Sequence, residues 1–313
     1  MKKILITGGA GYLGSILIEQ LIDKDYDITV IDNLLYKQTS LASFVHKPNF
    51  HFINESVLNY RNILPYVQEA DIIIPLACYV GMPACAKYPV LATAVNQHAI
   101  EWLALNTRDD QKIIYPTTNS GYGIGQDGIY CTEETPLNPI SLYGETKVNA
   151  EKALLKRGNA VTLRLATVFG LSPRMRLDLL VNDFTYKALR DGYIVLFESH
   201  FKRNYIHIRD VAMTFEFAID NFDKMKGQPY NVGLSSANIS KLELCEKIKE
   251  YIPNFHIAQA EIGKDPDQRN YIVSNDKLEA LGWKPNYSLD DGIKEIIKAY
   301  PILNSANNLF TNL

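Results

Sequence analysis

Tyr143 and Lys147 stand four apart in the stretch Ser141-Leu142-Tyr143-Gly144-Glu145-Thr146-Lys147, which opens a helical pattern running to about residue 157. At that spacing both side chains share one helix face. A tyrosine, with a reference pKa of about 10, is a poor base at neutral pH. A neighbouring ammonium group favours the phenolate and lowers that value. Such a phenolate can take a proton from a hydroxyl group, provided another group accepts the hydride. A second hydroxyl, at the end of the preceding strand, would orient the same oxygen, and Thr118 fits that place. Tyr-x-x-x-Lys alone occurs by chance in many helices, so its weight depends on the elements that position it.

The decisive element is the start of the chain. Ile4, Leu5 and Ile6 form an apolar run suited to a buried strand, and Gly8, Gly11 and Gly14 follow at a spacing of three. Leu17, Ile18, Leu21 and Ile22 then repeat at helical intervals. Strand, glycine turn and helix make a cradle for a pyrophosphate, because free N–H groups and the helix dipole both favour negative charge. Gly8, Gly11, Tyr12 and Leu13 are the residues placed against it. The acidic residue expected about 20 positions on is Asp32, with Asn33 after it, ending the apolar run Ile28-Thr29-Val30-Ile31. A carboxylate there accepts both ribose hydroxyls and repels a 2′-phosphate, which favours NAD over NADP.

Composition narrows the classes. The 313 residues allow one large or two modest domains, and 47% hydrophobic content supports a sizeable core. A net charge of −3 without a basic run argues against nucleic acid as a partner. The four cysteines, Cys78, Cys85, Cys131 and Cys245, show neither CxxC pairing nor metal-ligand spacing. No leader precedes the first strand and no apolar run approaches membrane-spanning length. These features lead to the expectation of a cytoplasmic enzyme with no membrane partner and no bound metal.

Strand and helix signals alternate through the first half. Residues 50–53 read as a third strand, 60–69 as a helix and 71–76 as an almost wholly apolar fourth strand. Small residues at the end of that strand, Leu76-Ala77-Cys78, suit a backbone lying close to a ligand. Residues 89–106 read as one helix, apolar around most of its circumference and therefore buried on more than one side. Residues 112–117 form the fifth strand and 159–166 the sixth. The alternation predicts an α/β fold with a Rossmann-type doubly wound parallel sheet. From residue 171 it loosens into short strands at 194–197, 205–208 and 230–232 among helices at 179–190, 210–221, 241–251 and 289–299. The expected division is a dinucleotide-binding domain at 1–170 and a smaller substrate-binding lobe at 171–313, with some segments crossing between them.

GGAGYLG at 8–14, Asp32, LAC at 76–78, TTNSGYG at 117–123, YGETK at 143–147 and RLATVFG at 164–170 together resemble the extended short-chain dehydrogenase/reductases, in particular the nucleotide-sugar epimerase/dehydratase group. RNYIHIRDVA at 203–212, YNVG at 230–233 and LGWKP at 281–285 extend the resemblance over about residues 3–299. It implies NAD as cofactor, a nucleotide sugar as substrate and a homodimer or higher homo-oligomer packed through the 89–106 helix. It also places Ser56 and Val57 beside the adenine, Leu76 and Ala77 along the cofactor, and Thr118 as the hydroxyl that assists Tyr143. Asn182, Arg203 and Arg269 fall where relatives touch the nucleotide and its phosphates.

Two departures bear on the reaction. Sugar 4,6-dehydratases of the group carry an acidic pair after the threonine, where this chain has Asn119 and Ser120. Neither titrates near neutral pH, so dehydration is disfavoured. The other is Arg174-Met175-Arg176, near the substrate mouth, where two guanidinium groups suit a phosphate or a carboxylate or are simply solvated. Among narrower groups the chain resembles bacterial enzymes that oxidise GDP-activated heptose at C4 for capsule synthesis. A nucleotide-sugar 4-epimerase is the alternative, and a non-catalytic NAD-binding sensor a further one. Asp32→Ala is predicted to weaken NAD binding far more than NADP binding by calorimetry; a wild-type protein preferring NADP would overturn this assignment.

Overall fold

In the computed structural model, which describes residues 1–260, 263 and 269–305, Ile4, Leu5 and Ile6 lie at the heart of a seven-stranded parallel sheet. All three are almost wholly buried. Ile4 and Ile6 enter one core and Leu5 the other, so the strand is apolar on both faces because helices cover both.

The first half runs β1 (Lys2–Thr7), α1 (Tyr12–Leu21), β2 (Tyr26–Asp32), β3 (Phe50–Asn54), α2 (Tyr60–Glu69) and β4 (Ile72–Pro75). Three short helices follow, α3 (Met82–Lys87), α4 (Pro89–Thr93) and α5 (Ala99–Asn106), the last two joined by a π-helical turn at Ala94–His98. Then come β5 (Lys112–Thr118), β6 (Tyr130–Cys131), α6 (Leu142–Arg157), β7 (Ala160–Leu165) and β8 (Thr167–Phe169). The second half comprises α7 (Leu180–Arg190), β9 (Tyr193–Leu196), β10 (Lys202–His207), α8 (Ile208–Asp220), α9 (Phe222–Met225) and β11 (Gln228–Val232). It ends with β12 (Asn238–Ser240), α10 (Lys241–Tyr251), β13 (His256–Gln259), β14 (Ile272–Val273), α11 (Asp276–Glu279) and α12 (Leu289–Asn304).

The sheet order is β11-β7-β5-β4-β1-β2-β3. From β1 the chain builds outward through β2 and β3, then returns to β4 on the other side. The direction of winding thus reverses between β1 and β4, and a crevice opens there at the strand ends. The sheet crosses the division near residue 170: β11 pairs with β7, and α8 packs on α1. Among the described residues, no helix is long and apolar enough to cross a membrane.

The 89–106 segment differs from the single helix, buried on more than one side, read from its apolar residues. It is interrupted by the π-helical turn, and it buries one side only, through Ala92, Asn96, Ala99, Ile100 and Leu103. Val90, Leu91 and Leu105 are 80%, 44% and 85% exposed, because α6 and the sheet cover one face and, among the described residues, nothing covers the other. Helix α3, which periodicity does not reveal, begins where Gly81 turns with φ +89° and Pro83 takes an early helical position.

Helix α6, which carries Tyr143 and Lys147, is tied to the sheet by a buried ion pair. The Arg164 guanidinium on β7 donates Nε (3.1 Å) and Nη2 (2.7 Å) to Oε1 of Glu151 on α6. Its Nη1 donates to the Tyr122 hydroxyl (3.1 Å) and the Glu133 carbonyl (3.0 Å), so all three guanidinium nitrogens are engaged. Removing one member of a buried pair strands the other charge. Glu151→Leu is therefore expected to cost about 3–5 kcal/mol in urea unfolding. Adding Arg164→Met should recover part of that loss; full additivity of the two substitutions would show that the charges do not depend on each other.

Candidate active site

The turn after β1 is shaped by close backbone approach. Gly8 has φ +71°, and a Cβ there would stand 2.4 Å from the Ala77 nitrogen. At Gly14 a Cβ would stand 2.5 Å from the Gly9 Cα, so α1 can sit this close to the turn only without side chains. Gly11 occupies the N-cap of α1 and no side chain caps it. The first-turn N–H groups have no intrahelical partners, which leaves them and the helix dipole to meet an anion.

Asp32 closes β2 at the other wall. It is buried, and its two oxygens already accept the N–H groups of Ala10 (3.0 Å) and Leu34 (2.8 Å). Burial raises its pKa and these two hydrogen bonds lower it, with burial prevailing. Each oxygen keeps a further lone pair for a ribose hydroxyl. Ser56, in the place read from the sequence as an adenine contact, donates its N–H to Glu55 (2.7 Å) and accepts the Leu58 N–H on its Oγ (3.2 Å).

From this cradle one continuous cavity of about 620 Å³ extends past the end of β4 to α6 and the second half of the chain. Gly8, Gly11, Tyr12, Leu13, Asp32 and Asn33 line it, as do Ser56, Val57, Leu76 and Ala77. Thr118, Ser120, Tyr143 and Lys147 line its middle, and Arg174, Arg203 and Arg269 also face it. The volume, the uncapped helix start and the carboxylate at the end of β2 fit a dinucleotide with room for a second ligand.

Tyr143 and Lys147 differ from the expected pair in how charge reaches the phenol. Burial pushes the Tyr143 pKa far above its ordinary value, and the cations that oppose this are Arg269 and Arg176. Lys147 instead holds its Nζ over the Tyr115 ring, 3.9 Å from the centroid. Burial lowers the Lys147 pKa, opposed by Cys78 and Glu151. Thr118, at the end of β5, donates its hydroxyl to Ser120 Oγ (2.9 Å) and accepts the Ser120 N–H (3.1 Å). Arg269 Nη1 donates to the same Ser120 Oγ.

Two residues expected at the substrate do not reach the cavity. Asn182 is fully buried in α7: its Oδ1 accepts the Gly170 N–H (3.0 Å) and its Nδ2 donates to the Arg176 carbonyl (2.9 Å) and the Tyr12 hydroxyl (3.2 Å). It anchors the loop after β8, and the residues here that line the cavity are Asp178 and Leu179, just before α7, and Leu180 at its start. Asn119 is 1% exposed and, unlike its neighbours Thr118 and Ser120, does not line the cavity. Nor are the two arginines of the 174–176 stretch solvated. Arg176 is buried and forked onto Asp178 through Nε (3.1 Å) and Nη2 (2.6 Å). The Arg174 guanidinium stacks 4.8 Å from the ring centroid of Tyr36, in the loop that follows β2.

The sequence reading missed Tyr36, Glu55, Asp178, Lys241 and Tyr271 as cavity residues. The Tyr36 and Asp178 positions carry no motif. Lys241 had a signal, since a lysine at the first position of a helix is unfavourable with respect to the dipole and needs another reason.

Comparison with known proteins agrees with this geometry. Residues 4–233 match the model of the NAD dependent epimerase/dehydratase family. The chain is 28% identical over 309 residues to the low-salt glycan biosynthesis protein Agl12 of Haloferax volcanii, covering 95% of this chain and 98% of that protein. It is 29% identical over 313 residues to UDP-glucuronic acid decarboxylase 1 of Arabidopsis thaliana, covering 95% of this chain and 69% of that one. Among solved structures, UDP-glucuronic acid 4-epimerase from Bacillus cereus, in complex with UDP-glucuronic acid and NAD, superposes with TM-score 0.84 at 23% identity, over 96% of this chain and 99% of that one. The dTDP-glucose 4,6-dehydratase DesIV from Streptomyces venezuelae superposes with TM-score 0.84 at 20% identity, over 98% and 99%. At these identities the two structures speak for the shared fold.

Because Arg269 lowers the Tyr143 pKa, Arg269→Gln should raise it. A phenolate base is active when ionised, so the ascending limb of the pH–rate profile should move to higher pH. An unmoved limb in Arg269→Gln would show that Arg269 does not act on the phenol.

Proposed function

We propose that this chain, which belongs to the NAD-dependent epimerase/dehydratase family, oxidises the C4 hydroxyl of a nucleotide-activated sugar to a 4-keto sugar without expelling water. One observation carries this reading: Tyr143 and Thr118 share a cavity with the glycine turn, and the wall beside them at 119–120 offers no carboxylate. Bound along the glycine turn and Asp32, NAD supplies the acceptor for the C4 hydrogen as hydride. Tyr143, as phenolate, takes the proton of the C4 hydroxyl. Arg269 and Arg176 oppose the burial that holds the Tyr143 pKa up. Lys147 holds positive charge on the same helix face, steadied over Tyr115. Oxidation at C4 acidifies the C5 hydrogen, yet elimination also needs a base for that hydrogen and an acid for the leaving hydroxyl. Asn119 and Ser120 supply neither.

The narrower reading, a GDP-heptose 4-dehydrogenase of capsule synthesis, rests on a general likeness, and net dehydrogenation of that kind is favoured over epimerisation where Arg174 and Arg176 hold an external oxidant's carboxylate. That support weakens with Arg176 forked onto Asp178 and Arg174 stacked on Tyr36. The loop carrying them also bonds to the start of α1, where the Ser172 hydroxyl donates to the Tyr12 carbonyl (2.7 Å). A loop so bound to both cofactor-side walls favours retaining the dinucleotide through the cycle. The 4-epimerase reading, in which the keto sugar is reduced again on its other face, is accordingly preferred over net dehydrogenation. A homodimer formed through the 89–106 segment accounts for the exposure of Val90, Leu91 and Leu105.

Tyr143→Phe is expected to lower turnover by about 10²-fold or more while calorimetric NAD affinity stays near wild type. Incubation with GDP- and UDP-sugars in heavy water should give a product in which no water has been lost. A product lighter by a water would refute C4 oxidation without elimination. One lighter by two hydrogens, formed only with an added 2-keto acid, would restore the dehydrogenase over the epimerase.

A further inference from the structure

The hydroxyl groups beside Tyr143 are arranged in an order that the sequence does not suggest. Thr118 Oγ1 accepts the Ser120 N–H and gives its proton to Ser120 Oγ. A hydroxyl has one proton and two lone pairs, so the Thr118 proton is already engaged within the protein. Ser120 Oγ receives that proton on one lone pair and the Arg269 guanidinium on the other. Both of its acceptor sites are filled and its own proton remains to be given. Among the described residues the Ser120 hydroxyl has no further partner. Ser120 is 2% exposed and lines the cavity together with Tyr143, so that proton is available to a ligand bound in the cavity.

We infer that Ser120, rather than Thr118, presents the hydroxyl proton that meets the C4 oxygen of the sugar, with Thr118 and Arg269 as the residues that position and polarise it. The inference rests on the C4-oxidation reading given above. Donation from a guanidinium is charge-assisted and makes the accepting hydroxyl a stronger donor in turn. A fixed donor of this kind is most effective where negative charge gathers on an oxygen, as it does at C4 when the hydroxyl loses its proton and when the ketone is reduced. A carboxylate in place of Ser120 would also accept from Arg269, but when ionised it would have no proton to offer the sugar oxygen. Serine at this position therefore turns a place suited to acid–base elimination into an oxygen-stabilising donor. The residue that withholds dehydration also assists the oxidation.

Neutron diffraction from deuterium-exchanged crystals of the whole protein reads the donor order without any substrate. The expected result is the Thr118 deuteron on Ser120 Oγ and the Ser120 deuteron directed into the cavity. A Ser120 deuteron lying on Thr118 Oγ1 would overturn the inference. Kinetics with whichever nucleotide sugar wild type converts give a second reading. Ser120→Ala should lower kcat by about 10²-fold with KM nearly unchanged, and Ser120→Thr should restore most of it. Thr118→Val should cost less alone and add nothing in the Ser120→Ala background. An equal cost in both backgrounds would return the role to Thr118. Wild type converting no nucleotide sugar either to a keto sugar or to its 4-epimer would instead refute the C4-oxidation reading, and the neutron result would still decide the donor order. Melting temperature and NAD affinity close to wild type exclude misfolding in each variant.

Discussion

No side chain can exist at residue 8. With φ +71° and a hypothetical Cβ 2.4 Å from the Ala77 nitrogen, the turn after β1 touches the backbone leaving β4. This approach brings the two strand ends together at the point where the winding of the sheet reverses. It also sets the start of α1 against the crevice, uncapped, with Asp32 across from it. Nearly every group assigned to the cofactor is placed by this one steric requirement. A larger residue would push β4 away and take the Leu76-Ala77-Cys78 wall with it.

Electrostatics decides what the middle of the cavity can do. Tyr143 is buried deeply enough that its phenol resists ionisation, so it serves as a base only with cations near it. Those cations come from far along the chain. Arg176 lies in the loop after β8, held by Asp178, and Arg269 lies just before β14. The catalytic helix is thereby coupled to the second half of the chain, and the same guanidinium that acts on Tyr143 also holds Ser120. Beneath them the Glu151–Arg164 pair fixes α6 to β7, so the phenol cannot drift from the strand end that bears Thr118.

The loop of residues 170–176 joins both lobes of the site. Tyr12 gives its hydroxyl to the Gly170 carbonyl (2.6 Å), Ser172 bonds back to Tyr12 and Ser15, and Arg174 reaches Tyr36. Further out, Glu295 on α12 accepts the Leu171 N–H (3.2 Å) and meets His207 Nε2 (3.0 Å), so the same loop is held from behind by the last helix. A segment whose arginines read in the sequence as holders of a phosphate or carboxylate, or as solvated, is a brace across the cofactor wall.

Much of this protein is determined by residues close together in the chain. The glycine spacing with its flanking strand and helix, the carboxylate ending β2, and Tyr143 four before Lys147 each express a local backbone geometry. Local geometry is what residue type and periodicity encode, so these features are legible in sequence. Helix 241–251 was placed to the residue for the same reason, since Ser240 and Glu243 form a capping box. What residues far apart do to one another was not legible. Asn182 bears the right chemistry for a substrate contact and points instead into the core, because Gly170, Arg176 and Tyr12 converge on it. Lys147 has the right spacing to act on Tyr143, yet the Tyr115 ring takes its ammonium and distant arginines act on the phenol. Thr118 has the expected hydroxyl, but its proton goes to Ser120, which a guanidinium 149 positions further along holds in turn. Spacing fixes which groups are available at the strand ends. Their protons and charges are apportioned only by the packing of segments that meet in three dimensions.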